Sequence, residues 1–123
     1  TPLRSPGRDR MTPRLPAQLE VGALRRSVSS AGGFATVIQE GEPDAGTLMV
    51  ICCENGANAR VYERMPDLEG DRNWTLVHTQ DTDNPHVFTE YLARRMDRDR
   101  DLWIVELDIV NGERFIGLPP PAG

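Results

Sequence analysis

Six consecutive apolar residues, Leu48-Met49-Val50-Ile51-Cys52-Cys53, form the longest apolar run in the chain and are bounded by turn-forming stretches. Side chains alternate between the two faces of a strand, so a run with no polar member must be covered on both sides. It is far shorter than the roughly 18 apolar residues a membrane-crossing helix needs. The run therefore predicts a central strand, and the rest of the chain must supply its two covers. Gly41-Glu42-Pro43-Asp44-Ala45-Gly46 before it and Asn55-Gly56-Ala57-Asn58 after it are turn chemistry.

Upstream, Ala17, Val21, Leu24, Val28 and Ala31 follow a helical 4-3-4-3 spacing, and Leu19 and Ala23 widen that stripe. Pro16 suits the first turn, and Gly32-Gly33 suits the end. The period then changes to two, with strands expected over 34–40, 47–54, 59–64 and 74–80. A second helix opens at Asn84-Pro85 and presents Phe88, Tyr91, Leu92 and Met96 as its buried face. Residues 102–110, the dipeptide Asn111-Gly112 and residues 113–118 predict a terminal hairpin, since Asn-Gly tolerates the positive φ that a two-residue turn requires twice. On its first arm Trp103, Val105, Leu107 and Ile109 face the core.

The predicted order is α-β-β-β-β-α-β-β. That order fits an α+β domain, a mostly antiparallel sheet of about six strands with two helices on one face. With 123 residues one domain is expected. We assign residues 14–118 to it, residues 1–13 to a disordered leader or upstream extension, with Met11 as a candidate start, and residues 119–123 to a proline-rich tail.

All 14 basic residues are arginine. The absence of lysine removes Walker-A phosphate binding and Schiff-base or pyridoxal chemistry. The first 16 residues carry a net +3 and the remaining 107 a net −8. A body of that sign repels polyanions, so nucleic-acid contact is left to the basic leader with Arg25 and Arg26. Cys52 and Cys53 point to opposite faces of their strand and read as buried thiols in a reducing, cytoplasmic setting, without a zinc-ligand spacing. A Cys53–His78 pair is weighed against core packing, which carries more weight because an apolar surround keeps a thiol protonated.

Two constellations carry chemistry. Pro43-Asp44 before a strand, with Glu54 or Glu63, could hold a divalent metal for a hydrolase or nuclease, although the lysine of such sites is missing. On the third strand Arg60, Tyr62 and Arg64 share one parity and form a cationic-aromatic face. That face either docks an acidic or aromatic partner or is neutralised internally, with Glu106 and Asp108 as candidate counter-charges, and internal pairing carries more weight. Trp74 and Trp103 are expected as core fillers.

Tyr91-Leu92-Ala93-Arg94-Arg95, then Asp101-Leu102-Trp103-Ile104-Val105-Glu106, the Asp44-Ala45-Gly46 turn and the Arg-bearing first helix resemble a family of small uncharacterised bacterial proteins, a domain of unknown function, over most of Leu15 to Ile116. The resemblance implies a compact bacterial domain and supplies no mechanism, cofactor or functional residue. The resulting expectation is a non-catalytic binding or assembly module without a cofactor. Its partner is another protein or a second copy through an exposed edge strand, with no membrane contact.

Overall fold

The computed structural model describes residues 15–44, 46–66 and 72–118. The expected leader, the proline tail, most of the 66–73 loop and Ala45 of the Asp44-Ala45-Gly46 turn lie outside the described residues. Helix α1 (Ala17–Ser30) leads into β1 (Phe34–Gln39), β2 (Leu48–Glu54), β3 (Ala57–Pro66) and β4 (Arg72–Thr79). Helix α2 (Pro85–Arg98), β5 (Trp103–Asp108) and a short 3₁₀ helix (Gly112–Ile116) complete the order. The five strands form one mixed sheet in the order β1-β5-β2-β3-β4. The β2–β5 pair is parallel, and the other three pairs are antiparallel.

As its sequence requires, β2 is central and buried from Leu48 through Cys53. Leu48, Val50 and Cys52 join a core with Ala17, Val21, Leu24 and Val28 of α1 and with Trp103, Val105 and Leu107 of β5. Met49, Ile51 and Cys53 join a second core, where Phe88 of α2 is buried and Tyr91, Leu92 and Met96 pack against it. The helices therefore lie on opposite faces of the sheet, not on one face as expected. A strand apolar on both sides needs one helix for each. At roughly 25 cal/mol per Å² of apolar surface removed from water, leaving either face open costs several kcal/mol. Leu19 and Ala23, expected to widen the α1 stripe, are exposed, and Ala31, expected as its last member, is exposed at the cap just past the helix end.

No side chain caps α1. Instead, the backbone N–H groups of Ala17 and Gln18 donate to the carbonyls of Asp44 and Pro43 at 3.3 and 2.9 Å. The turn before β2 thus satisfies two of the donors that a helix start leaves open. The Trp103 indole N–H donates to the Glu42 carbonyl at 2.8 Å, which ties the same turn to β5.

The predicted terminal hairpin is replaced. Asn111 does take positive φ (58°), but Gly112 is not among the positive-φ residues, and the chain coils into the 3₁₀ helix. A returning arm would need a free edge on β5, and β5 already lies between β1 and β2. The sheet therefore has five strands instead of about six.

Candidate functional site

The cationic-aromatic face of β3 is turned inward under α1 and the 3₁₀ helix. Tyr62 is buried in the α1-side core. Its hydroxyl donates to Glu113 Oε2 at 2.7 Å, and the Arg60 Nε donates to the same oxygen at 2.6 Å. Arg60 also forms two hydrogen bonds with Glu54, at 3.2 and 2.8 Å. Glu113 is fully buried, a position that a carboxylate holds only when paired and hydrogen-bonded. Burial pushes its carboxyl up, but the Arg60 and Tyr62 hydrogen bonds outweigh that and hold it below the ordinary value. Arg64 grips Glu20 of α1 through both terminal nitrogens, at 2.5 and 2.8 Å, and stacks 5.0 Å from the centre of the Trp74 ring. These groups fasten α1 and the C-terminal segment to the sheet.

Glu106 does not join that network. Its position in β5 alternates with Val105 and Leu107 and places it on the α2 side. There burial and the adjacent Asp108 push its carboxyl up, while the Cys53 thiol donates to it and opposes that shift. Asp108 instead accepts from the Asn55 backbone N–H at 2.7 Å. The three acids considered for a metal are dispersed. Asp44 sits in the turn beneath the start of α1, Glu54 pairs with Arg60, and Glu63 forms a bidentate pair with Arg95 of α2 at 2.9 and 2.8 Å. Among the described residues, no three His, Cys, Asp or Glu side chains form a metal-holding group.

Both cysteines are free and buried. Desolvation leads in pushing Cys52 up to about 12 and Cys53 up to about 11, with Glu113 adding for the first and Glu106 and Asp108 for the second. His78 stacks on Tyr91, with centroids 4.2 Å apart, and on Phe88 at 5.7 Å. It serves as part of the α2 packing.

The unspent groups lie elsewhere. A trough of about 610 Å³ runs between the C-terminal half of α1 and the start of β1, lined by Gly22, Arg25, Arg26, Ser30, Phe34 and Thr36 among others. Strand β1 is an outer strand that pairs only with β5. Its sequence, Phe-Ala-Thr-Val-Ile-Gln, contains no charge. Phe34 is 74% exposed, and no β1 residue belongs to the core beneath α2. The open backbone edge of β1 went unread in the sequence because strand order in space is not a local property. The Arg25-Arg26 pair was visible there, but only as a possible polyanion contact.

The family model described as "Protein of unknown function (DUF1491)" matches residues 15–117, and the chain belongs to that family. A crystal structure of a DUF1491 family protein from Caulobacter crescentus is similar to this chain at 29% identity and a TM-score of 0.69. That match covers 86% of this chain and 98% of the other. An NMR structure of a DUF1491 family protein from the same organism matches at 28% identity and a TM-score of 0.67, covering 88% and 97%. The solution structure of protein Atu0922 from A. tumefaciens matches at 27% identity and a TM-score of 0.59, covering 78% and 86%. No curated protein matches. Among the described residues, no helix is long and apolar enough to cross a membrane.

Proposed function

We propose that this chain is a non-catalytic binding or assembly module that works through the open edge of β1. One observation carries the reading: an uncharged outer strand, with Phe34 standing in solvent, borders a trough that no element of the described chain fills. Exposed strand edges present unpaired N–H and C=O groups, and natural proteins usually guard them with charge or proline. β1 has neither guard over residues 34–37, ahead of the register shift between Val37 and Gln39, so that stretch suits the addition of a strand from another chain. Several groups singled out for chemistry are committed to internal work. Arg60, Tyr62, Glu113, Glu63 and Arg95 hold elements together, and the thiols are kept protonated. The dispersal of Asp44, Glu54 and Glu63 gives a hydrolase no shared centre. Two free buried thiols accord with a cytoplasmic setting.

The test is selection of random linear peptides on the full chain, followed by amide hydrogen exchange. Enriched peptides are expected to slow exchange in residues 34–39 and to lose that effect in Phe34→Pro or in variants that block the edge. Enrichment of peptides that protect some other surface, or no enrichment at all, would remove the proposal.

A further inference from the structure

The edge of β1 is bordered by charge as well as by shape. Arginines facing the sheet are neutralised: Arg60 by Glu113 and Glu54, Arg64 by Glu20, Arg95 by Glu63. Arg25 and Arg26 differ from these, as do Arg94, Arg98 and Arg114, but of the unpaired arginines among the described residues they are the two that line the trough. Both are exposed on α1, and among the described residues neither forms an ion pair. Both line the trough, and no acidic residue does. Gly22 leaves the helix surface bare beneath the Arg26 guanidinium, with Nη1 3.5 Å from where a side chain would begin. Both cations thus border the trough, with room in front of them.

We infer that this trough docks an extended acidic segment of a partner protein, which adds to the sheet as a strand beside β1 and sets carboxylates on Arg25 and Arg26. The inference rests on the module reading above and names the partner's chemistry. An added strand turns alternate side chains to the two faces. Those on the α1 side meet the two guanidinium groups, whose planar forks match carboxylates. Those on the other side meet Phe34, which projects from the sheet face that α2 leaves open. The fitting segment therefore alternates acidic and apolar residues.

Two rival occupants fit less well. A second copy paired edge to edge through β1 would bring both copies' Arg25-Arg26 pairs onto one side of the continuous sheet, like charge against like. A nucleic acid would leave the β1 hydrogen-bonding edge unsatisfied and spread its charge over a body of net −8. A short segment needs only a few carboxylates at the two arginines.

The experiment uses the full chain and three labelled octapeptides, alternating valine with glutamate, lysine or threonine, plus an eight-nucleotide oligo-dT. Binding is read by fluorescence anisotropy, and its location by amide exchange. The valine–glutamate peptide is expected to bind about tenfold more tightly than the lysine peptide at low salt and to protect β1 amides. That preference should vanish in Arg25→Glu/Arg26→Glu, whose melting temperature should match the parent because both positions are exposed. If all three peptides protect β1 equally, the acidic specificity is wrong and the module reading survives. If no peptide protects β1, both fall. Tighter binding of oligo-dT to α1, or a dimer with β1 already protected in free protein, overturns the inference in favour of the rival occupant.

Discussion

The chain contains the dipeptide Asn-Gly twice, at 55–56 and at 111–112, and the two copies fold differently. At the first, Asn55 (φ 52°) and Gly56 (φ 75°) both take positive φ, and β2 turns tightly into β3, with Glu54 opposite Ala57. At the second, only Asn111 takes positive φ, and a 3₁₀ helix follows. Local chemistry permits a hairpin at both places. The strand leading into the turn makes the difference. β2 has an edge free for β3, whereas β5 is flanked by β1 and β2. Glu113 then adds a pull of its own, because Arg60 and Tyr62 wait for it on the sheet.

The largest effect is expected where the second dipeptide is anchored. Glu113→Ala leaves the buried Tyr62 hydroxyl without its acceptor and Arg60 with Glu54 as its remaining carboxylate, so it should cost about 2–3 kcal/mol in urea unfolding. A loss below about 1 kcal/mol would show that the 3₁₀ helix is held by its own turn chemistry. Next comes the contrast between the glycines. Gly56→Ala forces a side chain into positive φ and should cost about 1–2 kcal/mol. Gly112→Ala meets no such backbone strain, only a tight contact with Cys52 Sγ at 3.3 Å and ordinary ones with Cys52 Cβ and Ile109 Cγ2 at 3.5 Å, and should cost less, below about 1 kcal/mol. Equal costs would mean that both sites use the same turn.

Acid supplies a third measure. The Glu113 carboxyl lies below its ordinary 4.5 in the folded protein, so the unfolded chain takes up this proton first as pH falls. The stabilisation is complete above about 4.5 and is lost as pH drops through the lower folded value. Glu113→Gln should flatten the melting temperature's dependence on pH in that range, and an unchanged slope would assign acid sensitivity to other groups. The smallest expected signal is thiol reactivity. With both thiols raised by burial, Ellman's reagent should titrate neither cysteine at neutral pH until the chain unfolds. Rapid labelling of the native protein would show that the sheet opens near Asn55-Gly56.

Elements with a strong period were legible. The α1 stripe at Ala17, Val21, Leu24 and Val28, the two-faced β2 and the α2 face at Phe88 all lie where their spacing puts them. Strand neighbours were not legible, because period-two alternation says which face a residue takes and nothing about which strand lies beside it. Periodicity alone therefore does not show the parallel β2–β5 pair, the division of the two helices between opposite faces or the 3₁₀ helix in place of a sixth strand. The candidate site divided in the same way. The shared parity of Arg60, Tyr62 and Arg64 was correct, and their need for counter-charge was visible. Their partners Glu113 and Glu20 lie 53 and 44 residues away, and no local rule joins them.

What the letters determined alone is the set of elements and the requirement that β2 be covered twice, because side-chain periodicity and apolar transfer act along a short stretch of chain. Tertiary structure decided which strand edges were filled and which, those of β1 and β4, lie at the outside of the sheet. Pairing is a competition among distant segments for the same N–H and C=O groups. β5 has no edge left to give, and β1 keeps one, beside two arginines with no carboxylate among the described residues to neutralise them.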